Sequence, residues 1–267
     1  MILGPGVSRG SDVSVYTSAS APAESNIAFA FGSSHGIMTM DKRHSNMRFM
    51  SPNPVLHDAS PRDIFALEFL HDNHHVLLSG GRNGVLNIID LRIPRFGADT
   101  DTIIHPSSIA HIKQLDAHRI LVSGLNSSLL QYDLRFRKTK APSSQPPQPR
   151  LKSFSNFAAT SPILYYPRYH NSATLDLGLD VDVEVGIIAA VREPSYYDDN
   201  EDSHIQLFSL FGGHKLNSSV EALWIDKRFS HSKCVKFARD VVNQTKSLYV
   251  MPFDLHRYSF TSPDDDF

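Results

Sequence analysis

Two segments of this chain are near copies of each other and lie 43 to 44 residues apart. Residues 79–92 read SGGRNGVLNIIDLR and residues 123–135 read SGLNSSLLQYDLR, and apolar stretches at 64–70 and 109–115 precede them. A period of roughly 40–45 residues with several short strands is typical of one β-propeller blade. The repeat therefore predicts an all-β fold, and it favours a scaffold over an enzyme.

Alternating apolar and polar residues, separated by Gly, Ser, Asn and Asp, predict about five blades between residues 11 and 260. The strands of the first are expected around Val13 and Val15 and at 26–31, 36–41 and 47–50. Those of the second are expected at 64–70, 76–79, 85–90 and 101–104. The third has 109–115, 119–123 and 128–133, and an insertion displaces its fourth strand. The fourth has 163–166, 183–191 and 204–210, and the fifth has 234–238, 248–251 and 255–260.

Four other segments have the composition of loops or tails. Residues 1–10 are expected to be a flexible N-terminus, and 138–160 a disordered or extended Pro/Ser-rich insertion. Residues 193–203 are expected to form an acidic loop that enlarges a hairpin, and residues 261–267 an acidic, solvated tail. The partial propeller is thus predicted over residues 11–260.

The composition is that of an ordinary soluble globular protein of 267 residues, with 41% apolar and 20% charged residues. The net charge of −2 gives no electrostatic reason to expect nucleic acid or an anionic membrane as a partner. No apolar run approaches the roughly 18 residues that span a bilayer, and no signal peptide is evident. The single cysteine, Cys234, fits a reducing compartment, so we expect the nucleus, the cytoplasm or both.

The repeats resemble those of the WD-repeat (WD40) family. The usual Trp-Asp at the end of the third strand is replaced by Ile89-Asp90 and Tyr132-Asp133, and His105 stands near the place of the customary Gly-His. The resemblance implies a ring that normally has seven blades, so we expect this chain to be part of a larger ring. Another all-β propeller or a sandwich remains the main alternative fold.

Both copies contain Asp-Leu-Arg. Since residues i and i+2 of a strand point the same way, Asp90 and Arg92 should share one side, as should Asp133 and Arg135. Arginines just past equivalent strands would emerge on one rim and bind carboxylates or carbonyls of a partner. Alternatively, each arginine simply pairs with a neighbouring acid.

Propellers with Asp-x-Arg at this place resemble the substrate receptors of the cullin-4 RING ubiquitin ligase, in particular the cullin-4-associated factor 4 type. The resemblance covers residues 26–137 well and 160–260 poorly. It implies that Asp90, Arg92, Asp133 and Arg135 dock on the damaged-DNA-binding adaptor protein that bridges to the cullin.

Other candidate sites are weaker. His71, His74 and His75 fit a polar turn better than a metal site. Gly80-Gly81-x-x-Gly84 lies inside a hairpin and not before a helix, and no catalytic or nucleotide-binding motif is present. The acidic loop with its Tyr196 and Tyr197, and the basic stretch 135–140, are either recognition elements or solvated segments.

We therefore predict a non-catalytic interaction scaffold without cofactor, metal or small-molecule substrate. Its partners would be the cullin-4 adaptor and an unknown substrate protein. The alternative is a generic WD-repeat scaffold in ribosome biogenesis, chromatin or trafficking. An enzyme using a central channel is disfavoured, because the strands expected to line it, beginning near Ile64 and Ile109, offer mainly apolar and small residues.

Overall fold

A computed structural model shows a succession of short antiparallel β-strands. It describes residues 12–43, 46–50, 63–93, 101–136, 159–193, 205–216, 234–239, 246–251 and 256–259. The chain divides into two compact units. Unit 1 comprises Met1–Gly124 and Leu130–Ile163, and unit 2 comprises Leu125–Leu129 and Leu164–Phe267.

Unit 1 contains two complete four-stranded sheets, in which the strands follow one another in sequence order. The first consists of β1 (Val15–Ser20), β2 (Ile27–Ser33), β3 (Gly36–Asp41) and β4 (Met47–Met50). The second consists of β5 (Ile64–Leu70), β6 (Asn73–Gly81), β7 (Val85–Asp90) and β8 (Asp101–Ile104). Up-and-down sheets of this kind are the blades of a propeller, which confirms the prediction for these residues.

The third sheet repeats the same meander with β9 (Ile109–Gln114), β10 (Arg119–Gly124) and β11 (Leu129–Asp133). A single 3-10 turn, Leu134–Phe136, follows β11. Beyond the insertion, the backbone N–H of Ile163 donates to the carbonyl of Gln131 within unit 1. The N–H of Tyr166 donates to the carbonyl of Leu129 within unit 2. After residues 138–160 the chain thus returns to pair with β11, where the displaced fourth strand of this blade was expected.

Unit 2 contains the remaining strands. They are β12 (Leu164–Tyr165), β13 (Leu179–Asp182), β14 (Ile187–Val191), β15 (Ile205–Ser209), β16 (Cys234–Arg239), β17 (Lys246–Met251) and β18 (His256–Ser259). Strands β13-β14-β15 form one three-stranded sheet and β16-β17-β18 another. In the described ranges, no helix is long and apolar enough to cross a membrane.

Each unit has its own apolar core, formed by the inward residues of the alternating strands. In unit 1, one cluster joins the first and second sheets through Ala30, Leu67 and Leu77. Another joins the second and third sheets through Leu78, Ile109 and Tyr132. In unit 2, the core contains residues of β14 to β17, including Leu207, Val235 and Leu248. Stacking of neighbouring sheets is what buries each blade's apolar face.

Two strand predictions were wrong in unit 2. The segment 163–166 belongs beside β11 and is not the first strand of a fourth blade, as the hydrogen bonds to Gln131 and Leu129 show. The predicted strand 183–191 starts only at Ile187, because 183–186 form a turn in which Gly186 has φ of 76°. The first strand of that sheet is Leu179–Asp182, which the sequence pattern did not reveal.

Several predictions fall on residues outside the described ranges. These are the flexible N-terminus 1–10, nearly all of the insertion 138–160, the acidic loop beyond Glu193 and the tail 261–267.

Candidate functional site

Asp90 and Arg92 form a two-point ion pair at the end of β7. Nε of Arg92 lies 3.0 Å from Oδ1 of Asp90, and Nη2 lies 2.6 Å from Oδ2. The backbone N–H of Arg92 also donates to Oδ1 at 3.0 Å. The carboxylate of Asp90 therefore fixes both the backbone turn and the guanidinium of Arg92. The two side chains lie on the same side, as predicted.

Asp133 and Arg135 repeat this geometry at the end of β11. Nε of Arg135 lies 2.9 Å from Oδ1 of Asp133, and Nη2 lies 2.6 Å from Oδ2. The backbone N–H of Arg135 donates to Oδ1 at 2.9 Å. The two pairs match within 0.1 Å, so the sequence repeat is also a repeat of side-chain structure.

The leucine between aspartate and arginine anchors each motif. Leu134 is buried in the core shared by the second and third sheets, and Leu91 packs on the core shared by the first and second. Their backbone N–H groups donate to the carbonyls of His118 and His75, at 2.7 Å and 2.8 Å. Each arginine is thereby held at the surface, because the leucine before it packs on a core and is hydrogen-bonded to the backbone near the start of the preceding strand.

Gln114 connects the second and third sheets near these motifs. Its Oε1 accepts the backbone N–H of His71 at 2.6 Å. Its Nε2 donates to Oδ2 of Asp72 at 3.1 Å and to the carbonyl of Asp116 at 2.9 Å. His71 and Asp72 form the β5–β6 turn, at the same end of the second sheet as Asp90, because Val76 near the start of β6 pairs with Asp90. The two motifs thus lie at one end of neighbouring sheets.

The ion pairs change the acid–base behaviour of both aspartates. The hydrogen-bonded guanidinium of Arg92 lowers the pKa of Asp90 from 3.8 to about 2. Arg135 does the same for Asp133, whose pKa also falls to about 2. The same bonds raise the pKa of each arginine. Both pairs are therefore fully ionised at neutral pH.

Both arginines still present hydrogen-bond donors to solvent. The side chains of Arg92 and Arg135 are 62% and 63% exposed. Nε and Nη2 serve the aspartates, and among the described residues Nη1 of either arginine has no partner. A guanidinium held in this way can bind a carboxylate or carbonyl of another molecule without first being ordered. The ion pairs also agree with the simpler interpretation, in which each arginine only pairs with its neighbouring aspartate.

The Asp-Leu-Arg motifs did not point to five further residues of this site. His75, His118 and Gln114 hold the motifs in place, and Ile93 and Phe136 are exposed directly after the arginines. The 43-residue period would have identified His75 with His118 and Ile93 with Phe136 as equivalent positions.

Of the three histidines predicted to form a polar turn, only His71 lies in a turn, because β6 already begins at Asn73 and contains the half-buried His74 and His75. The rings of His74 and His75 lie 3.9 Å apart, and the largely exposed His71 lies 4.0 Å from Glu68. In the part of the chain that the structure describes, no three His, Cys, Asp or Glu residues are grouped so as to hold a metal ion.

The inner strands β1, β5 and β9 line a cleft in unit 1. We expected mainly apolar and small residues here, but Glu68, His71, His111 and Lys113 also line it. Most of the other lining residues are apolar or small, for example Ala66, Leu67 and Ala110. We assign no reaction to this cleft.

The comparisons with known proteins concern the fold. No family model matches the chain. The chain is 36% identical over 83 residues to WD repeat-containing protein 21 of Schizosaccharomyces pombe, a match that spans 30% of this chain and 19% of that protein. A chain in the crystal structure of a mitotic checkpoint complex matches with a TM-score of 0.55 and 15% identity, over 94% of this chain and 68% of that chain. With its serial four-stranded sheets, the protein therefore has an all-β fold that matches a WD40 propeller structure.

Proposed function

We propose that this chain is a non-catalytic protein-interaction scaffold, and specifically a substrate receptor that docks on the adaptor of a cullin-4 RING ubiquitin ligase. Arg92 and Arg135, each oriented by its aspartate, would bind acidic or carbonyl groups of the adaptor. Ubiquitin transfer would occur elsewhere in the assembly, so this chain needs no nucleophile and no cofactor.

One observation carries this proposal. Two ion pairs of the same geometry lie at one end of neighbouring sheets, and each leaves part of its guanidinium exposed. A single Asp–Arg pair would be adequately explained by stabilisation of its own turn. Two equivalent pairs form a surface that can contact one partner at two points.

The rest of the surface would bind the protein to be ubiquitinated. The insertion 138–160 and the acidic loop 193–203 are long enough to contribute. A receptor of this kind would work in the nucleus, the cytoplasm or both.

The second candidate is a generic WD40 scaffold in another assembly, such as one in ribosome biogenesis, chromatin or trafficking. The partly similar protein from Schizosaccharomyces pombe carries only the name of its repeats. In this case the Asp–Arg pairs would stabilise their turns, and adaptor binding would be absent.

Binding of the full chain to purified adaptor tests the proposal. We expect the wild type to bind and the variant Arg92→Glu with Arg135→Glu to lose at least roughly tenfold in affinity, because each added carboxylate would face its own aspartate and repel an acidic partner. The matched control is Arg82→Glu with Arg239→Glu, which reverses two other exposed, ion-paired arginines. Circular dichroism checks the folding of every variant.

Unchanged binding by the folded double variant would show that the two arginines are not part of the interface. Absence of binding by a well-folded wild type would leave the generic scaffold.

A further inference from the structure

An exposed apolar side chain follows each arginine of the two motifs. Ile93 is 58% exposed, and Phe136 is 70% exposed. No other large apolar residue described in the structure is as exposed as Phe136. Single exposed apolar residues are ordinary on protein surfaces, but these two recur at equivalent places of two repeats, each directly after an exposed arginine.

The backbone holds both residues in defined positions. The N–H of Ile93 donates to the carbonyl of Asp90 at 3.2 Å, which closes a turn. Phe136 ends the 3-10 turn that starts at the buried Leu134. Each apolar side chain is therefore displayed beside its arginine at the end of its sheet.

We infer that each arginine and the apolar residue after it act together as one contact point, Arg92 with Ile93 and Arg135 with Phe136. The partner fitted to this surface is a protein that offers two apolar pockets, each bordered by carboxylate or carbonyl oxygens. This inference rests on the proposed function, and it assigns part of the adaptor's binding energy to Ile93 and Phe136.

The chemistry of the surface selects such a partner. Both aspartates accept hydrogen bonds from their own arginines, so the outward polar groups are N–H donors. A partner must therefore supply acceptors. In the sequence, Arg95 and Lys138 follow the two motifs at the same 43-residue spacing, which adds positive charge to both segments. Protein interfaces typically combine an apolar core with a polar rim, and arginine is among the residues enriched in their hot spots.

Removal of the apolar groups with both arginines retained tests this inference. We expect Ile93→Ser with Phe136→Ser to weaken binding of the full chain to purified adaptor by roughly tenfold or more. The conservative variant Ile93→Leu with Phe136→Leu should restore most of the affinity. The matched control is Tyr165→Ser with Phe211→Ser, whose aromatic side chains are 63% and 60% exposed elsewhere on the chain.

The outcomes separate the two proposals. Loss of binding in the serine variant, with rescue by leucine and an unaffected control, supports the inference. Full binding by the serine variant, together with loss on charge reversal of the arginines, overturns the inference and keeps the proposed function. Absence of binding by the folded wild type overturns both.

Discussion

Asp90 and Asp133 should make the stability of the chain depend on pH in the acid range. Their pKa values are about 2 in the folded chain and 3.8 ordinarily. Because the folded chain binds these protons less readily, the stabilisation is complete above the ordinary pKa and is lost as the pH falls from about 4 to 2. We expect the free energy of unfolding to fall over this window, measured by urea denaturation at each pH.

The control for this titration is Asp90→Asn with Asp133→Asn, which keeps the size of the side chains and removes their charge. The variant should be less stable than the wild type at neutral pH, and the difference should shrink as the pH falls to 2. A difference that stays constant with pH would contradict the role given to the two ion pairs.

His105 should affect stability at a higher pH. Burial lowers its pKa from 6.5 to about 3, and its Nδ1 lies 3.0 Å from the hydroxyl of the buried Tyr132. The unfolded chain therefore takes up a proton below pH 6.5 that the folded chain does not. We expect wild-type stability to decrease from pH 6.5 downwards relative to His105→Asn, with a slope of up to about 1.4 kcal/mol per pH unit. Parallel pH profiles of the two proteins would contradict this.

Gln114 should matter for the coupling between sheets as well as for its own strand. Its side chain bonds the backbone of His71 in the second sheet and that of Asp116 in the third. Gln114→Leu keeps most of the volume but removes the hydrogen bonds to these part-buried backbone groups, which costs about 1 kcal/mol. Chemical denaturation measures the loss, and a change below about 0.5 kcal/mol would show that water replaces the amide.

Strands with an ordinary apolar pattern were predictable from local sequence. The predicted strands 64–70, 85–90 and 101–104 have the bounds that the structure shows. Strand Leu179–Asp182 could not be predicted in this way, because Asp180 and Asp182 are poor strand formers and yet are buried in it. Lys236 and Lys246, more than 50 residues away, neutralise these carboxylates. Such compensation depends on tertiary contacts and leaves no local signal.

At the level of the whole chain, predictability follows the clarity of the repeat. In unit 1 the 43-residue period predicted the sheets and the places of Arg92 and Arg135. In unit 2 no terminal Asp-Leu-Arg marks the strands. The segment 163–166 was therefore assigned to the fourth blade, although it lies beside β11. The exposure of Ile93 and Phe136 could not be predicted either, since sequence alone does not tell a buried apolar residue from an exposed one.

The equivalence of the two Asp–Arg pairs also affects how long a complex would last. A partner held at both points leaves only when both open together, since an opened point finds its site again at high effective concentration while the other still holds. Gln114 keeps the two sheets joined near these points, so little freedom is lost when the second contact forms. Damage to one point would then shorten the residence time far more than it slows association. Two weak contacts would together behave as one long-lived attachment.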